Sequence, residues 1–146
     1  MPLLGTQIVA GIADAVGYIT MGGVFAANMT GNTVLAGIDL ARTDYIGAWH
    51  HLTPLVAFLV GAMIARALLR LRQSPVAGLL IEAAIIAGVG FADIGEEAAA
   101  MAVALAMGIQ ASTITSFAGS AISTVVVTST LARTADAIVD WAWPGA

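Results

Sequence analysis

Two acids sit where the surrounding residues are apolar. Asp14 is the only charged residue from Met1 to Ile38, and Glu82 is the seventh residue of the apolar run 76–92. An ionisable group at membrane depth is costly unless it is protonated, paired or hydrated, so each is a candidate proton-coupling residue. The competing reading is a protonated side chain that hydrogen-bonds a neighbouring helix. A helix would place Gln7, Gly11, Asp14 and Tyr18 on one face, giving Asp14 polar company. Glu82 could instead lie near an interface, within reach of Arg70 or Arg72.

The run Asn28-Met29-Thr30-Gly31-Asn32-Thr33 carries a different chemistry. Gly, Asn and Thr interrupt helices, and a helix interrupted inside a bilayer frees backbone N–H and C=O groups. These are tolerated only where they are buried in protein or line a wet cavity. A helix restarting near Thr30 would aim unpaired N–H groups and a positive dipole end at that cavity, as in transporters whose discontinuous helices face each other. Thr128-Ser129-Thr130 would supply the opposing half. The candidate solute-binding residues are therefore Asn28, Thr30, Asn32, Thr128, Thr130 and Gln110, the last being a polar residue within an apolar run. The alternative is a tight turn whose Asn and Thr side chains cap the helix and pack, and for Gln110 an interhelical hydrogen bond.

Other chemistries find no footing. Cysteine is absent, which removes disulfides, thiolate metal sites and cysteine nucleophiles. There is no phosphate-binding glycine loop, nucleophile elbow or metalloprotease motif. His50-His51 could ligate a metal, but adjacent residues on a helix point in different directions. No catalytic residue, metal site or cofactor is expected, and the protein is read as a non-enzyme. A net charge of −4 argues against nucleic-acid binding.

The elements that must carry these residues follow from composition. Apolar residues make up 60% of the 146-residue chain and charged residues 10%, with a mean hydropathy of +0.96. Lipid is the natural solvent for such a chain. Apolar segments run over residues 3–27, 52–69, 76–92 and 98–119, joined by short polar links that imply antiparallel neighbours. The fold expected is an all-α, polytopic transmembrane helical bundle forming a single domain over 1–146, with about four full spans.

Two stretches are too long for one crossing. Residues 98–132 carry no charge, and as a single helix they would exceed about 50 Å against a hydrocarbon core of about 30 Å. Residues 1–38 pose the same problem. Each must break, the first near Gly22-Gly23 and Asn28–Thr33, the second among Ser112–Thr124, with an extended piece around Val125–Val127 leading into a short helix. The resulting broken segments, 1–38 and 98–132, form a weak internal repeat. Arg66, Arg70 and Arg72 place the end of the second span in the cytoplasm. Gly61, Ala65, Ala104, Gly108 and Ala111 are positions for close helix packing.

The stretch Gly11–Tyr18, then Gly22–Leu35 with its Phe-x-x-Asn-Met-Thr-Gly-Asn-Thr run, closely resembles the YoaK-like family of bacterial membrane proteins, a family of unknown function. Ala106–Ala111 and Val126–Leu131 look like that family's later signature, and Glu82 also matches. Where the family usually carries Asn and Gly, this chain has Ala111 and Ser129. The resemblance implies about six membrane segments, hence either a shortened chain or a partner that supplies further helices. It also implies a bacterial inner membrane location with several passes.

The reading that unites these features is a small transporter-like or channel-like protein that binds a polar or ionic solute between the two broken segments. The alternative is an accessory or structural subunit of a larger membrane complex. Its partners are the bilayer and either a second copy of itself or that complex.

Overall fold

The 28 residues from Tyr45 to Arg72 form one helix, and the rest of the molecule is measured against it. Pro54 lies inside this helix and lacks the N–H that would reach the His50 carbonyl. The Thr53 hydroxyl donates to that carbonyl at 3.0 Å instead, so the helix continues. The computed structural model describes residues 2–72, 75–118 and 126–143, and within them it is an all-α membrane bundle. Its helices are α1 (Pro2–Thr20), α2 (Met29–Ala41), α3 (Tyr45–Arg72), α4 (Pro75–Phe91), α5 (Glu96–Ala118) and α6 (Val126–Ala142).

Helices α3 and α5 are each long and apolar enough to cross a bilayer, and they form the central pair, running in the same direction because α4 returns between them. Their backbones touch because glycine allows it. A Cβ on Gly61 would collide with the Leu105 carbonyl, and one on Gly108 with the Phe58 carbonyl. Ala62, Ala65, Ala104 and Ala106 complete a fully buried seam of small residues. In lipid, where burial of apolar surface drives little, such close packing holds helices together. Outward faces are apolar: Ile8, Ile12, Val16 and Ile19 of α1 are all exposed, the pattern of a helix solvated by acyl chains.

Helices α2 and α6 are pinned to opposite ends of α3. His51, in the first turns of α3, donates from Nδ1 to Asp39 near the end of α2 at 2.7 Å. Arg66, toward the other end, holds the Asp140 carboxylate of α6 with Nε and Nη2, both at 3.0 Å. Helix α2 therefore runs against α3, and α6 runs with it. At about 1.5 Å per residue, α2 begins beside the middle of α3 and α6 has its N-terminal half there. There Met29 and Ala132 share a buried cluster with Phe58. The first turn of α2 and the N-terminal half of α6 thus come together at the centre of the bundle.

Some boundaries differ from the sequence reading. The first break occupies Met21–Asn28, and α1 ends at Thr20 rather than continuing to Ala27. Gly22 and Gly23 there take φ of 70° and 82°, a conformation that side chains resist. In the second stretch α5 continues to Ala118, so Ser112 and Thr113 lie in helix, where each packs toward a neighbouring helix. Val126 and Val127 are helical instead of extended, since they open α6. The expected break falls within 119–125, outside the described residues.

Candidate functional site

The first break is built by side chains that replace lost helical hydrogen bonds. After Gly22-Gly23 the chain runs back along α1, so close that a Cβ on Gly17 would stand 2.9 Å from the Val24 carbonyl. Asp14 then meets the returning strand: one carboxylate oxygen accepts the N–H of Ala27 at 2.6 Å and that of Asn28 at 3.0 Å. Asn28 caps α2 by accepting the Gly31 N–H at 3.1 Å. Asn32 turns back to Phe25, accepting its N–H at 2.9 Å and donating to its carbonyl at 2.7 Å. The amide thus behaves as a piece of neighbouring backbone. Thr33 donates to the Met29 carbonyl at 2.8 Å.

Apolar groups lock the same turn. Phe25 stacks on Tyr18 with ring centres 5.0 Å apart, and its edge covers Gly31, where a Cβ would come within 2.6 Å of the ring. Met29 is fully buried. Every polar side chain in Asn28–Thr33 therefore has a structural partner except one. The Thr30 hydroxyl is buried and makes no hydrogen bond among the described residues. A buried polar group left unsatisfied costs about 1–3 kcal/mol, so such an atom demands an explanation.

The other candidates fall in three places. Thr130 is exposed on α6 and lines an open groove with Arg133, Thr134 and Trp141. The Thr128 side chain lies outside the described residues, as does that of Gln7; the backbone places Thr128 in the first turn of α6. Gln110 is not beside Asn28–Asn32. It lies on the α4 side of α5 and donates from Nε2 to Glu82 at 2.6 Å. Asp14 and Glu82, paired in the sequence reading as proton-coupling groups, therefore occupy separate environments. His50 donates to the Gly22 carbonyl at 3.2 Å while His51 engages Asp39, so the two histidines serve different elements.

A third polar group escaped sequence reasoning. The Ser112 hydroxyl of α5 donates to Asp136 of α6 at 2.9 Å, and one turn further along α6, Asp140 takes both Arg66 and Arg70. Arg70 also donates to the Trp143 carbonyl. The spacing of Asp136 and Asp140 was the available signal, because residues four apart share a helix face. The cationic cluster at the end of α3 is thus partly neutralised by α6.

Comparison with known proteins agrees with this architecture. The family described as "Protein of unknown function (DUF1275)" matches residues 3–145. The chain belongs to the DUF1275 family. A stretch of 58 residues, 40% of the chain, is 43% identical to the UPF0700 transmembrane protein YoaK of Bacillus subtilis (strain 168). The match spans 26% of that relative's length. No solved structure matches. Membership in DUF1275 bears out the resemblance read from the Phe25–Thr33 motif, and the relative's name describes a transmembrane protein, in keeping with the all-α membrane bundle.

Proposed function

We propose that this DUF1275 member is a small multi-pass transport protein of the bacterial inner membrane, transporter-like or channel-like, whose solute binds where the first turn of α2 meets the N-terminal half of α6. One observation carries the reading: in a motif whose other polar side chains all hold the backbone in place, the Thr30 hydroxyl is buried at the start of α2 and makes no hydrogen bond among the described residues. The α2 N-terminus brings a positive dipole end to that locus, and a hydroxyl adds a donor, so the solute is a small polar or ionic species bearing a hydrogen-bond acceptor. Thr128 and Thr130, on the first turns of α6, belong to the same end of that helix. Asn28 and Asn32 shape the locus through the backbone, and Asp14 acts there as a positioning residue.

Flux into liposomes reconstituted with purified protein tests the reading, using a panel of inorganic anions, small carboxylates and polar neutral solutes. Thr30→Val keeps the shape of the side chain and removes its hydroxyl. Solute-specific flux in wild type that falls about tenfold or more in Thr30→Val supports the site, a loss of one well-placed hydrogen bond. Background flux for the whole panel, or equal flux in the variant, refutes it.

A second reading, a subunit of a larger membrane assembly, is favoured by the groove on α6. Arg133 is exposed on a helix of the bundle, and with Thr130 and Thr134 it gives that face a polarity poorly suited to acyl chains. Extraction from native membranes in mild detergent, followed by native mass measurement, would detect a stoichiometric partner.

A further inference from the structure

The α4–α5 contact holds a polar cluster that neither α2 nor α6 uses. Glu82 is 6% exposed, Gln110 8% and Thr113 1%. Gln110 donates to one Glu82 oxygen at 2.6 Å. Thr113 follows Gln110 on the same face of α5, and Gly78 precedes Glu82 on the same face of α4. The Thr113 hydroxyl points at Gly78, since it would lie 2.6 Å from a Cβ built there. It is buried and forms no hydrogen bond among the described residues. A carboxyl group, a primary amide and an unsatisfied hydroxyl are therefore enclosed between two apolar helices.

Among the described side chains no charge compensates the acid. Helix α4 packs against α5 and α3, and Glu82 is its only ionisable residue. The ionisable residues of α5 are Glu96 and Glu97, both acidic and in its first turn, away from Glu82. On α3, His50 and His51 bond elsewhere at its opposite end, and Arg66 and Arg70 are both engaged by Asp140. Arg72 ends that helix, and its side chain is outside the described residues. Leaving a carboxylate in such a place with one amide for company costs several kcal/mol. The acid must carry its own neutraliser.

A sodium ion would need the amide and hydroxyl oxygens turned inward, but Gln110 presents its N–H group to the carboxyl. That face suits a carboxyl in either protonation state and repels a cation. The geometry points to Glu82, Gln110 and Thr113 forming a proton-exchange site, in which Glu82 takes up and releases a proton while Gln110 holds one carboxyl oxygen. The unsatisfied Thr113 hydroxyl supplies a further donor and acceptor along the exchange path. The site stands apart from the α2–α6 junction and does not depend on the transport reading.

An apolar carbodiimide, which reacts with protonated carboxyl groups in apolar surroundings, tests this directly. Purified full-length protein in detergent is treated with dicyclohexylcarbodiimide at a series of pH values, and the adduct on the Glu82 peptide is quantified by mass spectrometry. Adduct formation is expected to fall at least about tenfold between about pH 5.5 and about pH 9, as a titrating acid requires. Sodium chloride at about 0.1 M, compared with choline chloride at equal ionic strength, should leave it unchanged. Glu82→Gln should abolish it, and if that variant does not fold, the pH series on wild type decides alone. Protection by sodium would make this a metal-cation site, and labelling flat across the pH range would mark a permanently protonated structural acid. Either result, or no labelling of Glu82 at any pH, overturns the inference. Labelling requires no solute flux, so its outcome is separable from that of the liposome assay.

Discussion

Asn32 hydrogen-bonds both backbone groups of Phe25, seven residues earlier, accepting its N–H and donating to its carbonyl. The pairing closes the turn between α1 and α2 and lets an irregular stretch of chain sit among apolar helices without stranded polar groups. Replacing Asn32 by Leu strands both Phe25 groups. A loss of about 2–4 kcal/mol is expected, read as a lower thermal midpoint in detergent. Asn32→Asp, which keeps the acceptor and loses the donor, should fall between Leu and wild type.

Asp14 offers a graded test of how α1 is held. Asp14, the Tyr18–Phe25 stack and the close approach at Gly17 tie α1 to the returning chain, and it also touches α5. Asp14→Asn retains an oxygen able to accept the Ala27 and Asn28 N–H groups and should cost about 1 kcal/mol, the charge-assisted part of the interaction. Asp14→Leu removes both bonds and should cost about 2–4 kcal/mol. Hydrogen exchange of the Ala27 and Asn28 amides should speed up markedly in the Leu variant, and an unchanged rate would show that other contacts hold the turn.

The α3–α5 seam predicts opposite signs at different glycines. Gly61→Val and Gly108→Val drive a branched side chain into the facing backbone, so a loss of at least about 2 kcal/mol is expected, measured by thermal unfolding and by recovery of monodisperse protein. Gly88, near the end of α4, has open space where its Cβ would be. Gly88→Ala should be neutral or stabilise by up to about 1 kcal/mol.

Thr30→Val separates function from stability. The hydroxyl it removes satisfies nothing in the described structure, so the variant should unfold at the same temperature or higher even as flux is lost. A clear drop in thermal midpoint would mean the hydroxyl has a structural partner.

At the far end of α3, Asp140 is 42% exposed, so its two arginine contacts count for less than their geometry suggests. Asp140→Ala should cost about 1 kcal/mol at low ionic strength and less in high salt. A salt-independent loss several times larger would place this network in a far drier setting.

The sequence by itself determined the all-α membrane bundle, the apolar runs that had to be interrupted, and the family, because composition and hydropathy act on whole segments and the Phe25–Thr33 motif is specific. It also located the break near Gly22-Gly23, where only glycine adopts the required φ cheaply. What the polar side chains do was decided by tertiary structure. Asn28, Thr30 and Asn32 are alike on paper, yet two are spent on backbone groups and one is left over. Gln110 reads as a neighbour of the break but turns to Glu82, since which face of α5 meets α4 is set by packing at Gly61 and Gly108. The meeting of α2 and α6 likewise depends on His51–Asp39 and Arg66–Asp140, contacts between residues 12 and 74 positions apart. Local pattern carries the energy of forming helices, but hydrogen-bond partners are chosen by whichever helices come into contact.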